Sequence, residues 1–145
     1  MVPKQSIEAI PPFGGGRRLL VTDDDAAIRL LLVAFLGRYN FQLRQARNGK
    51  EALDEMRAGN ADLVIMDLAM PNVSGWDVLR IREQDLSLRQ IPVIVMTAVN
   101  LTQATADVAG KSVSVLLGKP FDLDTLLSAV RSSLDVDGVP APLAA

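Results

Sequence analysis

Apolar and polar positions along this chain follow two alternating rhythms. Short apolar runs fall at 19–21, 63–66, 93–96 and 113–117, with a more mixed run at 41–46 in which Phe41, Leu43 and Gln45 share one face. Between them apolar residues return every three or four positions. Ile28, Leu31, Leu32 and Phe35 do so within 27–36, Ala52, Leu53 and Met56 within 50–58, and Leu126, Leu127 and Val130 within 122–134. Val78, Leu79 and Arg82 mark the faces of a further stretch at 76–83, and a weaker helical pattern covers 101–109. The first rhythm predicts strands and the second amphipathic helices. The punctuation agrees: Asp24 or Asp25 can cap the first helix, Asn48-Gly49 marks a turn before the second, and Pro92 introduces the fourth strand.

The runs LVIM before Asp67 and VIVM before Thr97 are apolar without alternation, as in central parallel strands covered on both faces. Five such strands alternating with five helices predict an α/β doubly wound parallel sheet, because right-handed crossovers put helices on both sides. A chain of 145 residues suits one domain of this kind. Pro3, Pro11, Pro12 and Gly14 to Gly16 make 1–16 read as a flexible extension, leaving the domain at 17–135 and a Pro/Ala-rich flexible tail at 136–145.

Composition narrows the chemistry. With 15 basic and 17 acidic residues the net charge is -2, so nothing argues for nucleic acid as a partner. No run approaches the ~18 apolar residues of a membrane span and the N-terminus lacks a signal-peptide pattern, so a cytoplasmic protein is expected. The chain has no cysteine and no histidine, which removes thiolate and imidazole nucleophiles, bases and metal ligands together. What remains is carboxylate chemistry. Sheets of this class bind ligands outside the carboxyl ends of their strands. There the chain puts Asp23 and Asp24 after strand 1, Asp67 after strand 3, Thr97 after strand 4 and Lys119-Pro120 after strand 5. Clustered carboxylates without nitrogen or sulfur donors suit a hard cation, Mg²⁺ above all, with Mn²⁺ a workable substitute. An aspartate in such a cluster can act as a nucleophile toward phosphorus, and Mg²⁺ and Lys119 would screen the phosphoryl oxygens.

In that setting RRLLVTDDDAAIRLLL, ADLVIMDLAMPNVSGWDVL, IPVIVMTA and LLGKPFDLDTLL, in this order, resemble the receiver domains of two-component response regulators over essentially all of 17–134. The resemblance implies a flavodoxin-like sheet of order 2-1-3-4-5. It implies Asp67 as phosphoacceptor and Asp24 as a direct metal ligand, with Asp23 supporting the metal indirectly and Ala69 supplying its backbone carbonyl. Thr97 and Lys119 would bind the phosphoryl group, and Pro120 would follow Lys119 through a cis bond. Asp25, next after the acidic pair, is left to cap the helix. Expected partners are a sensor histidine kinase or a histidine phosphotransfer protein. A downstream protein would be read by the face of the helix at 101–109, the fifth strand and the last helix. The domain would be a signalling module rather than an enzyme, promoting only its own phosphorylation and slow dephosphorylation.

Two departures from the family pattern stand out. Leu116 stands where the family commonly has an aromatic residue that turns inward on activation, so a rotating ring is not part of the expected switch. Ala69 and Val99, two residues after Asp67 and Thr97, are apolar where polar side chains often orient the hydrolytic water, so slow self-hydrolysis is expected. Trp76 reads as packing at a helix start, and Gly14 to Gly16 lack the Lys-Ser/Thr of a phosphate loop. Two other functions compete: a degenerate receiver serving as an unphosphorylated scaffold, and an Asp-dependent phosphohydrolase. The latter needs a second aspartate where Ala69 stands.

Overall fold

A computed structural model of the chain describes residues 13–98, 113 and 115–134. The elements are β1 (Arg18–Thr22), α1 (Ala26–Leu36), a 3-10 turn (Gly37–Tyr39), β2 (Gln42–Ala46), α2 (Gly49–Arg57), β3 (Leu63–Asp67), α3 (Gly75–Glu83), the one-turn helix α4 (Leu86–Arg89), β4 (Val93–Thr97), β5 (Val115–Gly118) and α5 (Leu123–Leu134). All five strands are parallel, in the order β2-β1-β3-β4-β5. The predicted helix at 101–109, Val99 and the tail at 136–145 lie outside the described residues.

Strand alternation divides the core in two. Leu20, Val64, Met66, Val93 and Val95 face α2 and α3, where Ala52, Leu53, Met56, Val78 and Leu79 meet them. Leu19, Val21, Leu63, Ile65, Ile94 and Met96 face α1 and α5, meeting Leu32, Leu36, Leu126 and Val130. Every residue of β3 and β4 is buried, which is why their sequences show no polar alternation. Leu116 is partly buried on the α2/α3 side and Leu117 is buried on the other.

The helix starts are fixed by side-chain acceptors. Asp25 caps α1 by accepting the Ala27 N–H at 2.9 Å, and Asn48 caps α2 by accepting that of Glu51 at 2.9 Å. Ser74 and Asp77 form a reciprocal capping box at α3. Asp122 accepts the Thr125 N–H at 2.7 Å at the start of α5.

The structure corrects the sequence reading in three places. The first is the flexible extension expected at 1–16, whose last four residues are packed on the domain. Phe13 makes edge-to-face contacts with Tyr39 and Phe41 at 5.7 and 5.4 Å, and the Arg131 guanidinium lies 5.0 Å from its ring centre. Gly14 donates to the Tyr39 carbonyl at 2.7 Å, and Gly15 and Gly16 take positive φ to turn the chain into β1. The second is α4, a helix the periodicity did not predict, capped by Asp85 through the Ser87 N–H at 2.9 Å. The third is Arg82, read only as a marker of a helix face: it is 2% exposed, its guanidinium donating to the Ile91 and Arg89 carbonyls at 2.8 and 3.1 Å.

Candidate functional site

The strand register brings the polar strand ends to one edge of the sheet. Thr22 pairs with Met66, Asp67 with Met96 and Thr97 with Gly118, so the residues that follow or end these strands emerge side by side. Asp23, Asp67 and Thr97 are buried there, at 1%, 6% and 0% exposure. Asp24 is exposed at the rim. Deeply buried polar groups need partners, and these have them.

Lys119 supplies the central one. Its Nζ lies 2.8 Å from Asp23 Oδ2 and 3.6 Å from Asp67 Oδ2. Its own N–H donates to the Thr97 carbonyl at 2.7 Å, so the lysine and the threonine are tied through the main chain as well. The Lys119-Pro120 bond is cis, as the family resemblance implied. Asp67 Oδ1 accepts the Ala69 N–H at 3.3 Å. Behind Asp67, Gly75 donates to the Leu68 carbonyl at 2.9 Å. A Cβ on Gly75 would collide with the Asp67 carbonyl oxygen, so only glycine lets α3 begin this close to the strand end.

Burial pushes the Asp67 carboxyl above its ordinary range; the nearby charge of Lys119 opposes this and that of Asp23 adds to it. For Lys119 burial pulls the ammonium down, but the hydrogen bond to Asp23 and the charges of Asp67 and Asp23 outweigh it, leaving its pKa above the usual 10.5. The site is therefore a compact alternation of negative, positive and negative groups.

One carboxylate oxygen from each of Asp23, Asp24 and Asp67 lies within 4.8 Å of the others. Three hard oxygen donors, with Asp24 on the solvent side, fit a Mg²⁺ ion that keeps part of its water shell. Sequence reasoning therefore named the residues that gather here: Asp23, Asp24, Asp67, Thr97 and Lys119. Leu116, by contrast, lies one strand position before the buried Leu117 and packs into the α2/α3 core rather than at this edge. Two site residues were missed. Gly75 could have been suspected from the Ser-Gly pair opening a helix, and Arg29, whose Nη1 donates to the Asp23 carbonyl at 2.8 Å, left no mark in the pattern.

Comparisons with known proteins agree with this geometry. The CAI-1 autoinducer sensor kinase/phosphatase CqsS of Vibrio cholerae is 37% identical over 107 residues, 73% of this chain but 16% of that protein. The polar-differentiation response regulator DivK of Brucella anthropi is 32% identical over 94 residues, 65% of this chain and 76% of that one. Among solved structures, the response regulator TrrA of Thermotoga maritima in complex with Mg²⁺-BeF is 33% identical, with a TM-score of 0.70 and coverage of 81% of this chain and 99% of that one. The family model described as the response regulator receiver domain matches residues 19–131. The chain belongs to the response regulator receiver domain family of two-component systems.

Proposed function

We propose that this receiver accepts a phosphoryl group on Asp67 from the phosphohistidine of a sensor kinase or phosphotransfer protein. The observation that carries the reading is the position of Asp67: a buried carboxylate at the end of a central strand, 3.6 Å from the Lys119 ammonium and grouped with Asp23 and Asp24. An Asp67 carboxylate oxygen attacks phosphorus, an O–P bond forms as the histidine N–P bond breaks, and the imidazole keeps the bonding pair. Asp24, Asp67 and the Ala69 carbonyl would hold Mg²⁺, with Asp23 supporting it indirectly. Bound there, Mg²⁺ supplies positive charge to the phosphoryl oxygens as their negative charge is shared out. Lys119 pairs with one of those oxygens, and the Thr97 hydroxyl donates to another.

The added charge then biases the domain between two arrangements. Because the Lys119 N–H is bonded to the Thr97 carbonyl, a movement of either residue is felt by β4 and β5 together. The readout face is assigned to the segment 101–109, β5 and α5. Leu116 carries no ring, so the switch works through repacking of an aliphatic side chain and is weaker than one that rotates an aromatic. That same residue is what favours the second reading, a scaffold without phosphorylation. Phosphohydrolase activity is disfavoured because Ala69 offers no acid or base. Among the described residues no helix is long and apolar enough to cross a membrane.

Phosphotransfer tests the reading. A histidine kinase carrying labelled phosphate should pass the label to the wild-type chain and not to Asp67→Asn, while phosphomonoesters should not be turned over. Label retained by Asp67→Asn would contradict the assignment.

A further inference from the structure

Every polar atom of Asp23 is tied down. Its N–H donates to the Ala46 carbonyl at 3.2 Å, its Oδ1 accepts the Asp25 N–H at 2.9 Å, and its Oδ2 accepts from Lys119 Nζ at 2.8 Å. Its carbonyl oxygen accepts from Arg29 Nη1 at 2.8 Å. Arg29 stands on α1, and its Nε donates to Gln45 Oε1 on β2 at 3.0 Å. One guanidinium thus joins α1, β2 and the peptide between Asp23 and Asp24.

The consequence falls on Asp24. Peptide units are planar, so the Arg29 bond to the Asp23 carbonyl sets the plane before Asp24, and the bond from the Asp25 N–H to Asp23 Oδ1 sets the plane after it. With both flanking planes held, the direction of the Asp24 Cα–Cβ bond is held too. We propose that Arg29 is a positioning residue: anchored by Gln45, it orients the Asp23–Asp24 turn so that the exposed Asp24 carboxylate faces Asp67 and receives a divalent cation without rearrangement. The inference rests on the cation-binding role given to this site above.

Charge alone argues the other way, which makes the inference testable by sign. A guanidinium beside an acidic cluster repels a cation, so if Arg29 acted only through its charge, removing it would tighten binding. Positioning demands the reverse. Groups that orient metal ligands from behind are worth about 10–100-fold in metal affinity. Calorimetric titration of the full chain with MgCl₂ alone should therefore give about tenfold weaker binding for Arg29→Met. Arg29→Lys, which keeps the charge and a donor, should recover part of the loss. Gln45→Met keeps Arg29 and removes its anchor, and should weaken binding by less than Arg29→Met does. Melting in EDTA identifies any variant that fails to fold. Equal or tighter Mg²⁺ binding by Arg29→Met overturns the inference, and should that variant misfold, wild-type affinity in Gln45→Met overturns it instead. A wild-type chain that takes up no Mg²⁺ overturns both this inference and the proposed cation site.

Discussion

Replacing Lys119 by Met keeps an unbranched side chain of similar length and removes the ammonium 2.8 Å from Asp23 and 3.6 Å from Asp67. The two carboxylates, whose side chains are 1% and 8% exposed, then face each other without the ammonium between them. Removing one partner of a buried ion pair costs about 3–5 kcal/mol. The Lys119 side chain is itself 17% exposed and water shares part of its role, which puts the cost near the low end, about 3 kcal/mol. For a domain of this size that lowers the melting temperature by roughly 9 °C. The assay is thermal melting of both proteins in EDTA between pH 4 and pH 8.

The sign of the pH dependence follows from Asp67. Its folded-state pKa is raised, chiefly by burial, so its protonated form favours the fold; that stability is present at low pH and is lost as pH rises through the folded pKa. Lys119 opposes this rise, and without it the folded pKa climbs further. Lys119 is fully charged throughout the range, because its own pKa lies above 10.5. The deficit of Lys119→Met should therefore be largest near pH 8 and shrink on acidification, as Asp67 takes up a proton. A deficit under about 2 °C at neutral pH, or one that does not shrink at low pH, would refute the electrostatic account of the site.

Other perturbations test its supports. Gly75→Ala drives a Cβ against the Asp67 carbonyl and to 2.7 Å from Leu68 Cα, so it should cost about 1–3 kcal/mol in urea unfolding and slow Asp67 phosphorylation; wild-type values for both would count against the close approach. Phe13→Ala removes two edge-to-face contacts and a cation–π contact and should cost about 2 kcal/mol in the same assay, whereas an unchanged midpoint would mean that the N-terminal turn adds nothing to stability. Polar residues placed at both Ala69 and Val99 should shorten the lifetime of the phosphorylated chain, followed by loss of mass with time. Equal lifetimes would contradict the link between apolar side chains and slow hydrolysis.

The strands could be read from the sequence because burial writes itself as pattern, β3 and β4 being apolar throughout; that Leu19 and Val21 go to one side and Leu20 to the other is visible only in the structure. Asp23, Asp24, Asp67, Thr97 and Lys119 were legible for a similar reason, each being a polar residue at the end of an apolar run. What the pattern does not carry is partnership between distant polar atoms. Arg82 looks like any solvated arginine until the Arg89 and Ile91 carbonyls are seen around it, and Arg29 until its bond to Asp23 is seen. Gly14 to Gly16 look like a linker, since glycine suits both free chain and a tight turn; Phe13, packed in its aromatic contacts, is what decides between them here. The helix α4 is too short for periodicity to register, although Asp85 and Ser87 are the cap and first-turn residues such a helix uses.

Intact mass after incubation with Mg²⁺ and a small phosphodonor such as acetyl phosphate shows whether Asp67 is the phosphoacceptor of a cation-dependent site. The wild-type chain should gain one phosphoryl group, lose the gain when EDTA replaces Mg²⁺, and show none as Asp67→Asn. An unmodified wild type, or equal labelling of Asp67→Asn, would contradict that role.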